Sequence, residues 1–134
     1  PRLSARDDHA GERVGETVGY AVRGATCKSA RTRLLFVTTG VLLRYLAHHA
    51  QRSSLGGITH ILIDEVHERA MLCDFLLILL RRYLDQSRQA GGSSHARVVL
   101  MSATIQADRL AKYFGGAPVV PVPGACMCVR FKVK

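Results

Sequence analysis

Residues Ile58 to Arg69, ITHILIDEVHER, contain the pattern that decides the fold. An apolar, β-branched run through Ile63 ends abruptly at two acids, Asp64 and Glu65. Such a run predicts a buried strand that delivers two carboxylates to its carboxyl end. In open α/β sheets, ligands bind in the crevice beyond these ends. Taken alone, the pair also fits a strand that ends at a solvated charge, so the assignment depends on the surrounding sequence.

The composition fits one basic domain. The chain has 134 residues, of which 48% are apolar, and this is enough for one core. Lys plus Arg number 19 and Asp plus Glu number 10, which gives a formal net charge of +9. This charge favours a polyanionic partner, although a basic surface can also serve solubility alone. No apolar run approaches the ~20 residues that a bilayer requires, so we predict no membrane span and no membrane partner.

The cysteines do not have the spacing of a zinc site. We therefore predict free, reduced thiols and an intracellular protein. The residues concerned are Cys27, Cys73, Cys126 and Cys128.

Strands and helices are predicted to alternate along the chain. Because the strands are apolar throughout, we predict an α/β fold in which a parallel sheet is flanked by helices on both faces. The long second helix has a continuous apolar stretch from Phe75 to Leu80, which predicts burial on more than one side. Pro1 to Gly15 is predicted as a loop and Gly24 to Arg31 as a basic turn. The predicted strands are Glu16–Arg23, Arg33–Val37, Ile58–Ile63, Arg97–Met101 and Val119–Val122, and the predicted helices are Val41–Ala50, Glu68–Arg88 and Ala107–Phe114.

Three polar clusters follow predicted strands: Thr38-Thr39-Gly40, Asp64-Glu65 and Ser102-Ala103-Thr104. Right-handed crossovers point parallel strands in the same direction, so the three clusters should meet at one edge of the sheet. A single polar cluster can be explained as a strand that ends in solvent. Three clusters at one edge are much harder to explain in this way, so their convergence favours a functional site.

The two acids suit hydrolysis of a nucleotide by water. Asp64 can hold Mg²⁺, directly or through its water shell, and Glu65 can act on the attacking water. His67 can donate a hydrogen bond across such a site, or it can be a surface histidine in a turn.

The other clusters each have a functional and a structural interpretation. Ser102 and Thr104 can relay through their hydroxyl groups, or one of them can cap the following helix. The Thr38-Thr39-Gly40 cluster heads a helix and suits a nucleic-acid phosphate, or it is an N-cap. Arg44 can add a cationic contact or can simply be solvated.

Three stretches closely resemble the first RecA-like domain of the DEAH/RHA branch of the second helicase superfamily, the ATP-dependent RNA helicases. They are TRLLFVTTGVLLRYL (Thr32 to Leu46), THILIDEVHERAMLCDFLLILL (Thr59 to Leu80) and VVLMSATI (Val98 to Ile105). The resemblance covers nearly all of Val14 to Gly124, and the motifs stand in the family's order. It implies a partial RecA-like, P-loop NTPase fold, with ATP and Mg²⁺ as cofactors.

The resemblance also implies roles for the acids and the residues around them. Asp64-Glu65-Val66-His67 is similar to the DExH motif, in which Asp64 and Glu65 serve Mg-ATP and water activation. Ser102-Ala103-Thr104 looks like the motif that couples hydrolysis to unwinding. Thr39-Gly40 looks like the motif that grips the RNA backbone.

Two further stretches resemble RNA-contacting segments of the family. Val18 to Arg23, VGYAVR, is similar to VGYxIR, although the aromatic and the acid that usually follow Arg23 are replaced by Gly24-Ala25. Pro1 to Ala5, PRLSA, looks like PRRxSA with one arginine fewer, so only Arg2 is carried over. The implied partner is RNA, as a single strand or a duplex with an overhang, together with protein cofactors. The implied location is the nucleus or the cytoplasm.

The resemblance implies a division of the chain into residues 1–124, a partial helicase domain lacking the phosphate loop, and residues 125–134, the start of the connection to a second RecA-like domain. The family's Gly-Lys-Thr loop and second-domain arginine fingers are missing from this sequence. We therefore expect the activity to belong to a longer parent protein and this fragment to be inactive alone. Two alternatives are a catalytically silent basic nucleic-acid-binding or scaffolding paralogue and an unrelated nucleotide-dependent motor.

Overall fold

The computed structural model describes residues 13–49, 55–66, 70–89, 96–102 and 107–122, together with the backbone of 126–131. The chain divides into two compact units, Pro1–Leu42 and Leu43–Lys134. In chain order the elements are β1 (Val18–Val22), β2 (Ala25–Cys27), β3 (Leu34–Val37), α1 (Thr39–His48), β4 (His60–Ile63), α2 (Met71–Gln89), β5 (Arg97–Ser102), α3 (Ala107–Tyr113), β6 (Val119–Val122) and β7 (Cys126–Phe131).

The first unit contains a three-stranded sheet in the order β2-β1-β3. β1 and β2 form an antiparallel hairpin, and β1 and β3 pair in parallel with Val18 opposite Leu34. Gly19 permits the hairpin, because a Cβ at this position would lie 2.5 Å from the carbonyl oxygen of Cys27. The Thr32 hydroxyl donates a hydrogen bond to the Gly15 carbonyl oxygen at 2.8 Å, which fixes the loop before β3 against the loop before β1.

The second unit contains a four-stranded sheet in the order β4-β5-β7-β6. β4 and β5 are parallel, whereas β7 is antiparallel to both of its neighbours. β4 and β5 bury alternate residues, which include Ile61, Ile63, Val98 and Leu100. The apolar face of α2 supplies Leu76, Leu77, Leu80, Tyr83 and Leu84 to the core.

Arg81 connects α2 to α3. Its guanidinium lies over the Tyr113 ring, 4.6 Å from the ring centroid, and donates a hydrogen bond to the Tyr113 carbonyl oxygen. A cation at a helix C-terminus is favourable because the last carbonyl groups carry the negative end of the helix dipole. The chain then leaves α3 through Gly115 and Gly116, both of which have positive φ.

All the predicted strands and helices exist, with boundaries that shift by up to three residues. The prediction of a parallel sheet is confirmed for β1 with β3 and for β4 with β5, but it is wrong for β2 and β7, which were not predicted as strands and pair antiparallel. A connection as short as Arg23-Gly24 allows a hairpin but no crossover, and Gly24 supplies the positive φ that the turn needs.

Helices were also predicted to cover every apolar strand on both faces, and this is wrong for the described residues. All four residues of β3 are exposed, so neither face of this strand is buried. On α2, Phe75 and Ile78 remain 52% and 53% exposed, so this helix is buried along one face.

The predictions on cysteines and membrane spans were tested in part. Cys27 and Cys73 are free thiols. Within the described part of the chain, no helix has the length and apolar character needed to cross a bilayer.

Candidate functional site

The carboxyl ends of β4 and β5 lie side by side in the second unit. The parallel register pairs Ile63 with Leu100. Glu65 follows the first of these residues by two positions, and Ser102 follows the second by two. The predicted meeting of Asp64 and Glu65 with Ser102 at one edge is therefore confirmed at the level of the strand ends.

The side chains at this edge differ in exposure. Asp64 and Glu65 are both exposed, whereas Ser102 is only 1% exposed at the end of β5. A ligand that arrives from solvent can therefore reach these two acids. The buried serine belongs to the sheet and can only act through a group that reaches into this edge.

Glu65 has an unusual backbone conformation that the sequence did not reveal. Its φ is +53°, and its N–H donates a hydrogen bond to Asp64 Oδ1 at 2.9 Å. Asn, Asp and Gly carry the usual sequence signal for this conformation, and glutamate carries none. The neighbouring Val66 is 5% exposed, so the chain returns to the core directly after the two acids.

The donor set at this edge fits Mg²⁺ bound together with a phosphorylated ligand. Mg²⁺ takes oxygen ligands and usually combines one or two carboxylates with waters and substrate phosphates. Asp64 and Glu65 supply adjacent exposed carboxylates. Within the described residues, no group of three His, Cys, Asp or Glu side chains could form an all-protein metal site.

The predicted RNA-contacting residues of the first unit also share an edge. β1 and β3 are parallel, so Arg23, which follows β1, and Thr38, which follows β3, lie at the same end of the sheet. The Thr38 carbonyl oxygen accepts hydrogen bonds from the N–H groups of Val41 and Leu42, and α1 therefore starts at Thr39. The N–H groups of Thr39 and Gly40, which precede these two, have no acceptor within the helix, and N–H groups at this position suit an anion.

The remaining site predictions divide into three groups. Gly40 and Arg44 are exposed on α1. Arg2, His67 and Thr104 lie outside the described residues. The Thr38-Thr39-Gly40 cluster lies in a different unit from the two acids, so the meeting of all three clusters at one edge stays a prediction.

Comparison with known proteins identifies relatives of this chain. No family model matches it. The chain is 45% identical over 120 residues to the DExH-box ATP-dependent RNA helicase DExH2 of Arabidopsis thaliana, covering 90% of this chain and 7% of the relative. It is 47% identical to DExH3 of the same plant, again over 90% of this chain and 9% of the relative. The chain thus spans less than a tenth of these relatives.

Solved structures give the same result. The Escherichia coli DExH-box NTPase HrpB is similar with a TM-score of 0.63 and 36% identity, over 82% of this chain and 13% of HrpB. A second structure of HrpB from Escherichia coli, described as a DEAH/RHA helicase, is similar with a TM-score of 0.64 and 37% identity, over 81% of this chain and 13% of the HrpB chain. Over most of its length, this chain is therefore homologous to one segment of the DExH-box RNA helicases.

Proposed function

We propose that this chain forms part of the motor core of an ATP-dependent RNA helicase, in which a partial RecA-like domain couples Mg-ATP hydrolysis to RNA binding and unwinding. The observation that carries the proposal is the shared edge of β4 and β5, where two exposed carboxylates lie at the same end of the sheet as Ser102. The homology to DExH-box RNA helicases supports the same reaction.

In this proposal Asp64 and Glu65 bind the metal ion, and Glu65 also activates the attacking water. Asp64 and Glu65 would hold Mg²⁺, which when bound would supply positive charge beside the phosphate oxygens. Glu65 orients the attacking water and accepts its proton. Ser102 links this edge to the RNA-binding part of the protein through its hydroxyl group. His67 and Thr104 complete the proposed set, as the resemblance implies.

The RNA backbone would bind at the edge formed by the ends of β1 and β3. Arg23 supplies a cation there, and the start of α1 at Thr39 and Gly40 supplies backbone N–H donors. Arg44 and Arg2 add positive charge in this proposal. Contacts of this type fix the position of a nucleic acid without reading its sequence.

The test of the catalytic assignment is Glu65→Gln in the longer helicase polypeptide. Glutamine keeps the size of the side chain but cannot accept the proton, so ATP turnover should be lost while RNA binding remains. Removing a positioned general base typically lowers the rate by about 100-fold to 10,000-fold. Normal ATPase activity in this variant would contradict the role of Glu65.

Thr39→Val tests the proposal that RNA binds at the edge formed by β1 and β3, and nucleotide at the edge formed by β4 and β5. RNA affinity should fall more than nucleotide affinity, because Thr39 lies at the proposed RNA edge. Thr59→Val is the matched control, since Thr59 is exposed at the opposite, amino end of β4. A larger loss of nucleotide affinity than of RNA affinity in Thr39→Val would reverse the proposed roles.

We also propose that the isolated chain binds ATP weakly and does not turn it over, because the G-x-x-x-x-G-K-[ST] phosphate loop is not in this sequence. The protein would act inside the cell, in the nucleus or the cytoplasm, with RNA and protein cofactors as partners and without a membrane. The net charge of +9 also supports a second candidate, a catalytically silent nucleic-acid-binding or scaffolding paralogue. That candidate is favoured if the longer polypeptide binds RNA but has no ATPase activity for Glu65→Gln to remove.

A further inference from the structure

Glu65 is unusual among the residues that the structure describes. Every other described residue in the left-handed region of backbone space is a glycine, and Glu65 alone carries a side chain there, with φ at +53°. The conformation is unfavourable for residues with a Cβ, because this atom comes close to the following carbonyl oxygen. Such conformations persist only where the surrounding structure holds them, and they concentrate at functional sites.

The contacts of Glu65 include a backbone hydrogen bond, and buried residues lie on either side of the two acids. Asp64 Oδ1 accepts a hydrogen bond from the Glu65 N–H at 2.9 Å. Ile63 on one side and Val66 on the other are 8% and 5% exposed, so both ends of the acidic turn are anchored in the core. The two acids are thus the exposed part of a short turn between buried residues.

We propose that Asp64 is a positioning residue for Glu65, and this inference rests on the proposed function. One oxygen of the Asp64 carboxylate holds the Glu65 N–H, while its other oxygen stays available to a cation. A helical φ at residue 65 would rotate the Cα–Cβ bond about the N–Cα bond by roughly 115°. The hydrogen bond from the Glu65 N–H to Asp64 holds the peptide plane from which φ is measured, so this bond and the left-handed φ together set the direction of the Glu65 Cα–Cβ bond.

The first test compares glycine and alanine at position 65 by urea unfolding of the chain without nucleotide. In a left-handed position glycine is favoured over alanine, and the entropy that glycine adds to the unfolded chain offsets part of this gain. The folding equilibrium constant of Glu65→Gly should exceed that of Glu65→Ala by about threefold.

The matched control is the same pair of substitutions at Thr59, an exposed residue of the same unit without positive φ. There alanine should be the more stable variant, because only the entropy of the unfolded chain distinguishes the two. If alanine is also the more stable residue at position 65, the left-handed conformation is refuted, and the proposal falls with it.

The second test measures hydrogen exchange of the amide of residue 65 by NMR, again without nucleotide. Asp64→Asn keeps an Oδ1 acceptor and should leave the exchange rate close to that of the wild type. Asp64→Ala removes the acceptor and should raise the rate by about tenfold. Equal rates in all three proteins would show that Asp64 does not hold the amide, which would overturn the proposal.

The two proposals can fail separately. Neither test above uses ATP or RNA, so their outcome depends on the turn itself. If Glu65→Gln keeps full ATPase activity in the longer polypeptide, the catalytic role fails whatever the exchange rates are. If the exchange rates do not respond to Asp64, the positioning role fails while the catalytic role can still hold.

Discussion

Replacing Gly19 with alanine should disrupt the sheet of the first unit. Gly19 lies in the middle of β1 and is buried against β2. A Cβ at this position would lie 2.5 Å from the carbonyl oxygen of Cys27 and 3.2 Å from Cγ2 of Thr32. The first of these neighbours is backbone, so it cannot turn aside as a side chain can.

The size of the effect follows from these distances. Ordinary contacts of a Cβ begin at 3.4 Å, so β1 and β2 would have to separate by about 0.9 Å near the pairing of Tyr20 with Cys27. Overpacking of this kind typically costs about 1–3 kcal/mol of the free energy of unfolding. The same displacement would move the hairpin that carries Arg23, so under the proposed function RNA affinity should fall as well.

The assay is urea unfolding followed by circular dichroism, with two alanine controls at other glycines. Gly24→Ala meets nothing within 4 Å but keeps the strained φ of +84°, which costs about 1–2 kcal/mol. Gly40→Ala also meets nothing and has no positive φ, so on α1 it should stabilise the chain by up to about 1 kcal/mol. If Gly19→Ala is as stable as the wild type, the packing of β1 against β2 described above is wrong.

Two further predictions concern a hydroxyl group and a thiol. Thr32→Val should lower the free energy of unfolding by about 1–2 kcal/mol, because it removes both the hydrogen bond to the Gly15 carbonyl oxygen and the acceptor of the Ser29 N–H, whereas the same change at exposed Thr26 should have little effect. Equal effects in urea unfolding would contradict this. Burial, followed by the negative charge of Asp74, raises the pKa of the Cys73 thiol. Its alkylation by iodoacetamide should therefore need a more alkaline pH than a free cysteine does, and Asp74→Asn should shift the profile to lower pH; a profile that does not move would exclude the charge as a cause.

Hydrophobic periodicity was sufficient to predict the elements that bury an apolar face. The pattern of three and four residues in α2 identified the helix, and the apolar runs identified β4 and β5. The antiparallel strands were missed because their signal is weak. β2 has only three residues, and its composition, Ala-Thr-Cys, is not distinctive. β7 was interpreted as a connection, although its residues pair with both β5 and β6.

The candidate site shows the same division between what a pattern determines and what depends on local geometry. The parallel pairing of β4 with β5 brings Asp64 and Ser102 to one edge, and strand order along the chain was enough to predict this. The left-handed backbone of Glu65, in contrast, has no sequence signature, because glutamate is not among the residues that favour this conformation. A carboxylate that must face an attacking water gains from being fixed in advance, because the protein then need not order it during the reaction. The residue that the sequence described least well is therefore the one whose conformation the proposed chemistry most requires.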